Sequence, residues 1–295
     1  MDGSSRANFY HQRWRACLKG QSTVAKGRSK KEPAKGRATA SVSTAAIIKP
    51  ARAGLPAEDS IASEMMLKSP KPGGGTFRII RTLEIDAYEL PPPTAGLAVP
   101  LDVRAVAIVG DDFKGAERKA AKLSIASAPT EQFKDLKSLI QSLPADKVMK
   151  THKPKISTAA TSNRVKEEKR NVKVKAFLYA ASREDDNDFH LILGRKAGAT
   201  PEMYLTMELS GLPKATSASF SKLKAARDSF KSFFGQNLPG VSYDFYDPPL
   251  PVLIEGSLFF DMTHATGQRP GPQSLKSRMP TIWEVHPLTR IVFEP

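Results

Sequence analysis

A mainly β chain with some helix, ending in a small closed barrel, is the fold class that three features of the sequence predict. Residues 171–295 read as strand, strand, strand, helix, strand, strand. Clusters of Gly, Pro and Asp punctuate those segments at turn-like intervals. A basic stretch poor in large apolar residues precedes everything that is periodic.

The chain divides into four stretches. Residues 1–75 read as a disordered basic arm and linker, 76–150 as a small α+β module, 151–170 as a second linker and 171–295 as the barrel domain. Lys, Arg, Ala, Ser and Gly dominate the first 54 residues, which cannot bury enough apolar area to offset backbone entropy. Pro70-Lys-Pro-Gly-Gly-Gly75 is a flexible joint. Alternation predicts a strand over 76–88 and an apolar one over 103–109, with a short strand at 123–126. Phe133, Leu136, Leu139 and Ile140 recur at helical spacing and predict a helix over 130–143, bounded by Pro129 and Pro144.

The barrel strands follow. In the first, Val172, Val174, Ala176, Leu178 and Ala180 share one face, and Lys173, Lys175, Phe177 and Tyr179 the other. A polar turn leads into Phe189 to Leu193, which Gly194 ends. The third strand turns Met203, Leu205, Met207 and Leu209 inward, and Tyr204, Thr206 and Glu208 outward. Phe220, Leu223, Ala226, Phe230 and Phe233 form the stripe of a helix over 217–234, with Ser217 or Ser219 as N-cap and Gly235 as stop. The fourth strand runs over 252–260, where Gly256 suits a bulge. A loop over 261–280 precedes a fifth strand at 282–285 that resumes at 290–293 beyond Pro287. This is the element order of the OB-fold, a five-stranded barrel whose helix plugs one end between strands three and four.

Net charge is +15, and residues 1–55 carry +10 of it, with 12 Lys/Arg against Asp2 and Glu32. A basic arm attracts polyanions through counterion release, so Arg28, Lys30 and Lys31 are candidate nucleic-acid contacts. An anionic membrane, an acidic protein or a merely solubilising tail would suit the arm as well. Cys17 is the sole cysteine, which excludes an intramolecular disulfide and a Cys-rich zinc module. No apolar run reaches secretory or membrane-spanning length, so the expected setting is the cytoplasm. The Arg-rich, acid-poor start also suits an organelle targeting segment.

The segments Asn171-Val-Lys-Val-Lys-Ala-Phe-Leu-Tyr179, Asp186-Asn-Asp-Phe-His-Leu-Ile-Leu-Gly194 and Trp283-Glu-Val-His-Pro287 resemble a group of bacterial proteins of unassigned function. The likeness covers roughly 156–293 and implies a module boundary, with no activity attached. By element order the domain is also similar to OB-type barrels, thermonuclease-like ones included.

Three function classes stay open. In the binding class, Phe177, Tyr179 and Tyr204 stack the bases of a single-stranded nucleic acid while Lys173 and Lys175 track its phosphates. This is the leading expectation, and it calls for no cofactor. The enzyme class rests on Asp188-Phe-His190, Asp261-Met-Thr-His264 and Glu284-Val-His286. A carboxylate orients an imidazole and raises its basicity, as general bases and metal ligands require. Should His190, His264 and His286 meet at one barrel mouth, a single metal ion would fit them, and a metal-assisted phosphodiesterase would follow. A thermonuclease-like version would take Asp188, Asp261 and Glu284 for a hard cation and Arg269, Arg278 and Arg290 for phosphate, although that family's spacing is absent. The ordinary role of such acid-His phrases is to tie strand ends to loop backbone. The third class is a protein-docking module, which needs no special residue.

Overall fold

The computed structural model describes residues 54–86, 110–265 and 269–294. Contacts divide the chain between Ile48 and Lys49, and every described residue belongs to the second unit. Among the described residues, eight strands form one mixed sheet: β1 (Ile61–Lys68), β2 (Thr76–Thr82), β3 (Thr130–Phe133), β4 (Asn171–Arg183), β5 (Phe189–Gly194), β6 (Tyr204–Leu209), β7 (Asp244–Phe260) and β8 (Trp283–Phe293). Five α-helices accompany them among the described residues: α1 (Lys119–Lys122), α2 (Leu136–Gln141), α3 (Asp146–Lys150), α4 (Phe220–Phe234) and α5 (Gln273–Lys276). None of the helices among the described residues is long and apolar enough to cross a membrane.

The sheet order is β1-β2-β7-β8-β6-β5-β4-β3, and β7 also pairs with β4. That extra pairing bends the middle of the sheet into a partial ring, β4-β5-β6-β8-β7. Four of its pairings are antiparallel. The fifth, β6 with β8, is parallel and covers only Thr206↔Glu284 and Met207↔Val285. Outside the ring, β2 continues the sheet from the start of β7, and β3 lies parallel to β4.

The inside of this arrangement is apolar. Val172, Val174, Ala176 and Leu178 of β4 meet Leu191, Leu205, Val252 and Phe230 in the main core cluster. A bulge between Leu178 and Ala180 reverses the alternation, so Ala181 joins that cluster, while Tyr179 and Ala180 join a second one. Phe77, Ile79, Leu136, Leu139 and Met149 share the main cluster with the ring strands. Helix α4 covers it with Leu223, Ala226, Phe230, Phe233 and Phe234. Phe233 stacks on Phe293 at 3.7 Å, and Phe230 lies 4.9 Å from Phe189. Ser219 occupies the N-cap position without a side-chain cap; its hydroxyl donates to Leu123 O instead.

Several local expectations need correction. The helix expected over 130–143 is a strand followed by a helix, because Asp135 caps α2 by accepting from Ser138 N. No strand forms at 123–126, where the chain turns out of α1. Residues 151–170 contain the buried Arg164 and Glu168, which an exposed linker would not. The fourth barrel strand starts earlier than read, at Asp244, and β8 runs through Pro287 without interruption. Gly256 does sit at a register shift, and a Cβ there would lie 2.6 Å from Pro287 O. The strand read at 103–109 lies outside the described residues.

Candidate acid–histidine centre

Strand register assembles the site. His190 on β5 faces Glu208 on β6, and Thr206 on β6 faces Glu284 on β8. The i, i+2 spacing adds His286 beside Glu284, and Asp261 follows the last residue of β7. The result is one linked network of six carboxylates (Glu184, Asp186, Asp188, Glu208, Asp261 and Glu284), three histidines and Lys122. Asp188, His190, Glu208, Glu284 and His286 are each no more than 2% exposed.

Three groups of mutually close ligand atoms lie within it: Glu184–His190–Glu208, Asp188–Glu208–His286 and Asp261–His264–Glu284. Glu208 belongs to the first two, and His286 Nδ1 stands 3.8 Å from Glu284 Oε2 of the third. Each group holds one histidine, so the three imidazoles do not surround a single point as the one-ion expectation required. The acid-His pairs are also exchanged. His190 pairs with Glu184 rather than Asp188, and Asp188 Oδ2 lies 3.3 Å from His286 Nε2. Asp261 and His264 pair as the sequence suggested, at 2.6 Å, while Glu284 keeps His286 only at 3.8 Å, because Glu208 takes the same ring nitrogen more closely. Ser210 Oγ lies 2.8 Å from His286 Nε2, and Gly211 N donates to Asp188 Oδ1 at 2.5 Å.

The electrostatics are lopsided. Lys122 Nζ lies 3.1 Å from Asp186, 3.9 Å from Asp188 and 4.0 Å from Glu208. Burial alone would lower its pKa, but Glu208, Asp186, Asp188 and Glu184 push it well above the ordinary lysine value. Burial, then neighbouring carboxylates, pushes Glu184, Asp188 and Glu284 well above the usual carboxylate range. Burial also raises Glu208, but His286 and Lys122 outweigh it and hold that carboxyl below its usual value. Asp261 is raised by burial and then brought down to about 2 by His264. Glu208 Oε2 pairs with His286 Nδ1 and Asp188 Oδ2 faces His286 Nε2 at 3.3 Å, whereas both oxygens of Glu284 have no hydrogen-bond donor among the described residues.

Three buried arginines fix the backbone that carries these groups. Arg118 binds Glu168 through two bonds of 2.6 and 2.7 Å and donates to Phe260 O, one residue before Asp261. Arg164 donates to His286 O at 2.7 Å and to Ala121 O and Ser124 O at 2.8 Å, on either side of Lys122. Arg227 donates to Leu209 O and Ser210 O, just past Glu208.

The residues expected on an outer binding face are placed differently. Tyr179 and Tyr204 are 4% and 1% exposed and pack edge to face, 4.9 Å apart. The Tyr179 hydroxyl donates to Arg195 O and that of Tyr204 to Glu202. Their outward assignment fails because loop and sheet cover both faces of the strands there. Phe177 is half-buried, Lys173 pairs with Glu255 at 3.3 Å and Lys175 with Glu294 at 2.9 Å. The candidate phosphate arginines stand apart from the network: Arg269 donates to Met279 O, Arg278 pairs with Glu202 and Arg290 with Glu255. Arg28, Lys30 and Lys31 lie outside the described residues.

Sequence reading missed Glu184, Glu208, Lys122 and the three arginines. Glu208 had a usable signal, two residues from Thr206 on a strand that could pair with His190. Comparison with protein-family models, curated proteins and solved structures gives no match to this chain.

Proposed function

We propose that the acid–histidine network binds divalent cations and that the chain is a metal-assisted phosphodiesterase of nucleic acid, built on an OB-like barrel. One observation carries the cation reading. Six carboxylates meet one lysine in a largely buried network, and both oxygens of Glu284 have no hydrogen-bond donor among the described residues. A buried surplus of negative charge must be protonated or neutralised, and a cation does the second. Asp188, Glu208 and His286 would hold one ion, and Asp261, His264 and Glu284 would hold another. Oxygen-rich sets with one imidazole suit Mn²⁺, Mg²⁺ or Ca²⁺. Such an ion would polarise a phosphoryl oxygen and orient and acidify a bound water for attack. His190, paired with Glu184 and 3.3 Å from Thr206 Oγ1, is placed to carry a proton.

The barrel reading rests on strand order and sense in the ring, with α4 between its third and fourth strands. The enzyme reading gains over pure binding because Tyr179 and Tyr204, two of the three stacking aromatics, are buried.

The test is hydrolysis of single-stranded oligonucleotides and of bis(p-nitrophenyl) phosphate by chelated protein resupplied with Mn²⁺, Mg²⁺ or Ca²⁺. Cation-dependent cleavage is expected, and Asp188→Asn with Glu208→Gln should lower it at least about 100-fold. Cleavage that is absent with every cation, or unchanged in the double variant, counts against the reading.

A further inference from the structure

Beside the network lies a groove of about 1150 Å³, wider than the usual pocket for one small ligand. Phe113, Leu212 and Pro213 give it an apolar floor, and Lys119, Lys214 and Lys222 stand along it. All three lysines are exposed, and no acidic side chain pairs with any of them among the described residues. Asp112 is the one acidic residue lining the groove.

Groove and network share a wall. Ser210 Oγ donates to Lys122 O and lies 2.8 Å from His286 Nε2. Lys119, Ala120, Leu123, Ser124 and Ile125, which flank Lys122 in sequence, line the groove together with residues 212–219, which follow Ser210. Backbone bonds from Phe113 N to Leu212 O and from Leu212 N to Asp111 O tie the floor together.

We infer that this groove binds the backbone of a single-stranded nucleic acid, with phosphates on Lys119, Lys214 and Lys222 and bases against the apolar floor. Charge complementarity selects a polyanion. An unpaired strand is selected because its bases are free to lie on apolar side chains, whereas a duplex hides them. The groove would bring a phosphodiester chain beside the acid–histidine centre. Its place as a substrate path rests on the proposed hydrolytic reading; its capacity to bind does not.

The test measures binding of a fluorescent oligothymidylate of about 12 nucleotides to the full-length, metal-free protein as a function of salt. The K119E/K214E/K222E variant is compared with K147E/K150E/K166E, an equal charge change at exposed lysines outside the groove. Circular dichroism and melting check that both fold. The groove variant should bind at least about tenfold more weakly, with a log–log salt slope shallower by about 2. The control should stay within about threefold of the parent. Equal losses in both variants would overturn the inference, since net charge or another basic segment would then account for binding. Binding of a phosphorylated peptide without binding of the oligonucleotide would overturn it too. Loss confined to the groove variant, in a protein that takes up no cation, upholds the groove and counts against the metal centre alone.

Discussion

Replacing Glu284 by glutamine is expected to stabilise the metal-free protein by about 1–3 kcal/mol at pH 7.5, which is opposite to what a structural ion pair would show. Glu284 is 1% exposed, and neither carboxylate oxygen has a donor among the described residues. Glu208 and Asp261 add like charge, and with burial they push its pKa well above the unfolded value. A carboxyl raised in this way costs nothing below the unfolded pKa of about 4.3. The cost grows as pH rises through that value and is complete above the folded pKa. The gain from Glu284→Gln should therefore be present at pH 7.5 and gone near pH 4. With Mn²⁺ added, the order should reverse, because binding to the folded state stabilises the parent and not the variant. Melting in chelator and in Mn²⁺, at both pH values, reads all of this. A variant less stable than the parent in chelator at pH 7.5 would show that Glu284 serves packing instead.

The largest loss of stability is expected from Arg118→Met. Arg118 and Glu168 are 2% and 0% exposed and joined by a two-pronged ion pair. Glu168 also accepts from Val165 N and Phe260 N, so the pair clamps Phe260 through both its N–H and its carbonyl. The clamp holds Arg118 at a φ of 45°, a left-handed conformation that costs a non-glycine residue energy. Removing the guanidinium leaves Glu168 charged and buried, at about 3–5 kcal/mol. In denaturant titrations R118M should lose that amount, and R118M/E168Q should recover part of it because no charge is then stranded. A loss below about 1 kcal/mol in the single variant would contradict this role.

These effects could be read from the sequence only in part. The apolar face of β4 was legible up to Leu178, because Val172 to Leu178 alternate strictly. Beyond it, the bulge turns Tyr179 and Ala180 into the second cluster, and no alternation announces a bulge. Tyr204, Thr206 and Glu208 were legible as one face, but every residue of β6 is buried, so that face is not the solvent side. Asp188, His190, Asp261, His264, Glu284 and His286 were legible as a set because acid and imidazole recur close together. Their pairing was not, because it depends on cross-strand register and on turns. Glu184 reaches His190 from the turn after β4, and Lys122 comes from a one-turn helix with no amphipathic signature. Buried arginines such as Arg164 are the hardest to foresee. The partners of Arg164 are four carbonyl oxygens, to which any sequence contributes equally.

Calorimetric titration of the chelated full-length protein with Mn²⁺ tests the central claim most directly. Saturable binding is expected in the parent, weakened at least about tenfold by Glu208→Gln in a variant that still melts cooperatively. Absence of saturable binding in the folded parent, or equal binding by Glu208→Gln, would contradict it.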